Sequence, residues 1–85
     1  GSLIGAGAKL GSAYMMSDKR LKTNIKKIMD IKVNGKSLGW YRYNYLGSDE
    51  TYEGVMAQEV EKVKPEAVKR NSNGYRMVNY AELGA

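Results

Sequence analysis

An 85-residue chain with neither cysteine nor histidine has few ways to hold a fold together. Disulfide staples are excluded, a zinc cluster has no Cys or His ligands to draw on, and a chain this short buries only a modest core. Self-association is the remaining common source of stability, so one small domain that oligomerises is expected. The same absence removes Ser–His–Asp and Cys–His catalysis, and a serine nucleophile would need a different base. No cofactor and no metal is implied. The lack of cysteine fits a reducing compartment.

The 14 Lys and Arg against 9 Asp and Glu leave a net charge of +5, which raises the question of nucleic acid. The cations are not gathered into one stripe. Lys19, Arg20, Lys22, Lys26 and Lys27 cluster near the front, whereas Lys62, Lys64, Lys69, Arg70 and Arg76 alternate with Glu59, Glu61 and Glu66. A solvated basic face is the plainer reading. No apolar run approaches the ~20 residues that cross a bilayer, and no signal peptide is evident, so no membrane partner is expected. Gly1-Ser2 reads as a cloning scar, which would place this segment inside a longer protein.

Residues 3–16, LIGAGAKLGSAYMM, carry glycine at 5, 7 and 11, which disfavours a helix by about 1 kcal/mol each. The stretch suits an extended chain packed against other chains or a linker. Ser17 reads as a helix N-cap, and the apolar spacing of Leu21, Ile25 and Ile28 predicts a helix to about Met29. Asn34-Gly35 marks a turn. Trp40–Leu46 reads as a strand with Tyr41, Tyr43 and Tyr45 on one face and Trp40, Arg42 and Asn44 on the other. Gly54 leads into a second helix, VMAQEVEKVK, with Met56, Val60 and Val63 on its apolar face and Pro65 ending it. Glu66–Val68 and Tyr75–Tyr80 read as short strands joined through Asn73-Gly74. The expected class is α+β, with two short helices and antiparallel strands.

Lysine can replace histidine as a base where desolvation or neighbouring cations lower its pKa. Lys22 follows Ser17 by five residues, and in a capped helix its long side chain could fold back to the hydroxyl, with Arg20 nearby to depress its pKa. Backbone N–H groups at the helix start could steady an oxyanion. Spacing alone supports equally an ordinary cap followed by a surface lysine.

The segment Ser17-Asp18-Lys19-Arg20-Leu21-Lys22-Thr23-Asn24-Ile25 resembles the opening signature of the S74-type self-processing domains, the intramolecular chaperones of endosialidase. Tyr41–Tyr45 is similar to that family's central aromatic strand. Gly54-Val55-Met56-Ala57-Gln58-Glu59-Val60 followed by Pro65-Glu66-Ala67-Val68 is similar to its most specific block, and Gly74, Val78, Tyr80 and Leu83 fall where its closing strand does. The resemblance covers residues 17–83, with Arg20, Asn24, Tyr43, Gln58, Glu59 and Pro65 as motif or structural positions. Many relatives continue into a long helical tail, whereas this sequence stops at Ala85.

The resemblance implies a catalytic Ser17 and Lys22 in a C-terminal chaperone at residues 17–85. It implies that residues 3–16 are the end of an upstream phage tail-spike or fibre. Such a domain forms an intertwined homotrimer with that fibre in the host cytoplasm, aligns it, and is then cut off. By analogy the scissile bond is Ser17–Asp18. Ring size favours the alternative, Met16–Ser17: attack by the serine hydroxyl on the preceding carbonyl closes a five-membered ring, whereas attack on its own carbonyl closes a strained four-membered one. An activated water or a serine from another protomer would reconcile the two. A non-cleaving trimerisation module is a second reading. A nucleic-acid binder using Arg42, Arg70 and the tyrosines is a third.

Overall fold

In a computed structural model the described residues are 14–83, so the expectations for residues 1–13 lie outside them. Two three-stranded antiparallel sheets make the frame. One has the order β1 (Tyr14–Met16), β6 (Arg76–Asn79), β5 (Val68–Arg70), and the other has β2 (Lys22–Val33), β3 (Lys36–Tyr45), β4 (Thr51–Gly54). Helix α1 (Ala57–Val63) packs against β3 of one sheet and β5 and β6 of the other, and a one-turn helix α2 (Tyr80–Leu83) follows β6. The α+β class holds, but the first expected helix does not exist.

Residues 17–29 are a short 3₁₀ turn (Lys19–Leu21) followed by strand β2. Two physical facts explain the difference. Thr23, Ile25, Ile28, Ile31 and Val33 are β-branched and fit a pleated surface better than a helical turn. The register also slips between Thr23 and Lys26 and again between Lys27 and Met29, and Asn24 sits at a φ of 53°. These bulges break strict alternation and leave an apolar spacing that imitates a helix. Asn34 and Gly35, with φ of 56° and 76°, then close a tight hairpin in which Val33 pairs with Lys36.

The rest of the chain follows its local chemistry. Ala57 and Val60 bury one face of α1, and Pro65 opens a 3₁₀ turn directly after it. Glu66 and Ala67 belong to that turn rather than to a strand, and Tyr80 begins α2. Gly74, at a φ of 84°, shapes the β5–β6 connection. Val33, Leu38, Val55, Val60, Val78 and Tyr80 lead a core shared by both sheets, with Trp40 meeting Tyr80 edge-on. Among the described residues no helix is long and apolar enough to cross a membrane.

The core is small enough that one side chain matters. Leu38 is 2 % exposed, and Leu38→Ala should cost about 2–5 kcal/mol. Urea denaturation at a pH where the chain stays intact measures this as a lowered midpoint with unchanged slope.

Candidate functional site

Ser17 continues the edge of the first sheet: its N–H donates to Arg76 O at 3.1 Å, and its carbonyl accepts from Ala57 N–H at 2.9 Å. The residue is therefore held between β6 and the start of α1. The 3₁₀ turn reverses the chain and delivers Lys22 as the first residue of β2. Asp18, not Ser17, caps that turn by accepting from Arg20 N–H at 2.9 Å.

The two side chains expected to act together do meet. Lys22 Nζ donates to Ser17 Oγ at 2.8 Å and to Val55 O at 2.7 Å, and Ser17 Oγ–H donates to Val55 O at 2.7 Å. Ser17 is fully buried and Lys22 is 6 % exposed. Burial lowers the lysine pKa to about 7, opposed by the attraction of the Asp18 and Glu59 carboxylates. Arg20 does not contribute the depression expected of it, because its guanidinium is paired with Asp18. A neutral amine has one lone pair, so Lys22 can keep an N–H on Val55 O while accepting the serine proton. The Tyr43 ring lies 4.0 Å from Nζ and closes that side.

Asp18 anchors the neighbouring backbone. Its carboxylate accepts from Arg20 Nε at 3.0 Å and Nη2 at 2.9 Å, from Gln58 Nε2 at 2.7 Å and from Arg76 N–H at 2.9 Å. The Arg20 guanidinium, with the hydrogen bonds of Arg76, Arg20 N–H and Gln58, holds its pKa well below the usual carboxylate range against the cost of burial. Gln58 also accepts from Lys19 N–H at 2.9 Å, so it ties the turn to α1. Glu59 is not in this network. It accepts from Tyr41 Oη at 2.6 Å, and Tyr41 is pushed up to about 12 by burial and by that carboxylate.

Other motif residues have structural work. Asn24 donates to Asn44 Oδ1 at 3.2 Å beside the β2 bulge, away from the pair, and Pro65 follows α1. Tyr43 is 3 % exposed and so cannot serve as a base-stacking platform. Several contributors were not foreseen. Val55 supplies a carbonyl, Ala57 an N–H and Arg76 a backbone clamp, all through main-chain atoms that side-chain motifs do not advertise. Tyr80 Oη accepts from Val55 N–H at 3.1 Å and interacts with Ser17 and Tyr43. Gly54 is the visible trace of this arrangement, since a Cβ there would collide with the Tyr80 hydroxyl. Tyr45 Oη donates to Met16 O at 2.6 Å.

The carbonyls on both sides of Ser17 thus each receive a hydrogen bond, and a serine–lysine pair lies between them. The class defined is a small α+β domain with a buried hydroxyl–amine pair and no histidine. The family model described as chaperone of endosialidase, the S74 peptidases, matches residues 17–69, and the chain belongs to that self-cleaving family. No curated protein and no solved structure gives a match.

A lysine pKa lower in the folded than in the unfolded state has a stability consequence of fixed sign. Between about pH 7 and the unfolded value of 10.5 the unfolded chain binds the extra proton, so stability rises with pH. In Ser17→Ala protein, urea denaturation between pH 7 and 9.5 should show a rise of about 1.4 kcal/mol per pH unit at most. Adding Lys22→Met should flatten it.

Proposed function

We propose that this chain is the C-terminal intramolecular chaperone of a phage tail-spike or fibre protein. It trimerises and aligns the upstream fibre in the host cytoplasm during virion assembly, and is then released by self-cleavage beside Ser17. The observation that carries the cleavage reading is the buried Lys22 amine at 2.8 Å from Ser17 Oγ, with its pKa brought to about 7. A lysine neutral near physiological pH accepts the serine proton and returns it to the leaving amine. A preformed donor on each flanking carbonyl supports the same chemistry.

The trimer reading draws on family membership and on the outer edge of β2. Ile25, Ile28 and Met29 are 39 %, 41 % and 53 % exposed on a long edge strand that has no strand neighbour on its outer side among the described residues. Natural edges of this length are usually covered. Three chains aligned by such contacts would present their upstream strands in register, raising their effective concentration for slow non-local pairing. Release afterwards leaves the fibre kinetically trapped.

A second reading, a trimeric clamp that does not cut, is favoured by one detail. Ser17 Oγ–H points to Val55 O, so the proton must first turn toward Lys22.

The test is a gel and intact-mass time course on the 85-residue chain, with oligomeric mass read by light scattering. Cleavage should speed up as pH rises through about 7 and level off above it, because only neutral lysine acts. Ser17→Ala and Lys22→Ala should each abolish it. Equal cutting in both variants would exclude the pair, and a monomeric mass would exclude the trimer.

A further inference from the structure

We infer that the phenol of Tyr45 is the catalytic electrophile for this cleavage and that the bond broken is Met16–Ser17; the inference rests on the Ser17–Lys22 reading above. Tyr45 stands on β3, in the opposite sheet from β1, yet its hydroxyl donates to Met16 O at 2.6 Å. Its ring is fixed by edge contacts with Tyr43, at 5.4 Å between centroids and 86°, and with Tyr52, at 5.3 Å and 66°. Burial raises its pKa, so the group stays protonated at neutral pH. A fixed neutral donor on a carbonyl oxygen holds that oxygen as it gains charge, without reorganisation during the reaction.

The carbonyl so held is the one that Ser17 can reach. Oγ closes a five-membered ring onto the Met16 carbonyl carbon and only a strained four-membered ring onto its own. Cutting Ser17–Asp18 instead requires a water or a serine from another protomer to attack, and Ser17 and Asp18 are both fully buried. The Ala57 N–H on Ser17 O then serves to fix the serine's peptide plane. Met16 itself is half-buried, in contrast to the fully buried Ser17 and Asp18.

The bonds change in two stages. Oγ bonds to the Met16 carbonyl carbon as its proton passes to the Lys22 amine, and the carbonyl electron pair moves to the oxygen held by Tyr45. Collapse of this intermediate breaks the carbon–nitrogen bond, and the Ser17 nitrogen takes the proton from Lys22. Met16 is now an ester of Ser17 Oγ. Water adds to that ester as Lys22 takes one of its protons, and collapse breaks the ester bond while Lys22 returns that proton to Ser17 Oγ. The acid's remaining proton goes to the freed Ser17 amine, leaving a Met16 carboxylate, a restored Ser17 hydroxyl and a new ammonium terminus at Ser17.

Three measurements on the 85-residue chain decide it. Mass spectrometry should find the larger fragment beginning at Ser17; a fragment beginning at Asp18 that still requires Ser17 and Lys22 overturns the Tyr45 assignment while sparing the pair. Tyr45→Phe keeps the ring contacts and should slow cleavage about 100-fold, the effect of losing one such donor, with an unchanged circular dichroism spectrum. An unchanged rate overturns the proposal. Ser17→Cys exposed to 2-mercaptoethanesulfonate should release residues 1–16 as a Met16 thioester, even if the parent chain cuts slowly. A folded Ser17→Cys protein that yields no such thioester overturns it as well, and loss of the pair's own dependence on Ser17 and Lys22 marks failure of the underlying reading instead.

Discussion

Lys22 carries an amine into the interior, where its hydrogen bonds go to a hydroxyl and a peptide carbonyl rather than to a carboxylate. Water would solvate the charged form far better than these two partners do. Moving the pKa from 10.5 to about 7 corresponds to a penalty on the order of 5 kcal/mol for keeping the proton. For a small domain that is a large share of the whole stability. On the proposed reading, the same burial yields a neutral base beside a serine. The arrangement around the pair follows from that constraint, since every polar group taken inside with the lysine needs its own partner. No buried side-chain nitrogen or oxygen among the described residues lacks one.

No single element builds this site. Ser17 hangs from β6 and α1, Lys22 starts β2, Val55 lies between β4 and α1, and Tyr80 reaches across from the end of β6. Asp18 and Gln58 lock the turn that separates serine from lysine. The base is neutral only where both sheets and α1 have come together, because an unfolded lysine is solvated and charged near pH 7. On the proposed reading, cleavage is therefore coupled to folding. The domain acts after its own core has formed, which suits a chaperone that must remain attached until its work is done.

Much of this was legible in residues 17–83. Asn34-Gly35, Asn73-Gly74 and Pro65 gave turns and a helix end because their backbone preferences are local. The tyrosine strand and α1 likewise followed from alternation and helical spacing. Leu21, Ile25 and Ile28 misled, because two bulges in β2 distort alternation into a helical interval, and bulges arise from pairing with a distant strand. Ser17 and Lys22 were singled out through motif resemblance, and their side chains meet by a different geometry from the capped helix expected. Gln58 joins the site through Asp18 while its neighbour Glu59 faces Tyr41, a division that depends on how α1 is rotated against both sheets. The backbone groups of Val55 and Ala57 carry no side-chain signature.

The central claim is that burial makes Lys22 a neutral base near physiological pH. Its own titration is the most direct measure. The ε-carbon and ε-proton shifts of Lys22, followed by heteronuclear NMR in Ser17→Ala protein so that the chain stays intact, should move with a midpoint near pH 7. A midpoint near the ordinary lysine value of 10.5 would contradict the account, since a permanently charged amine at that position could not take the serine's proton.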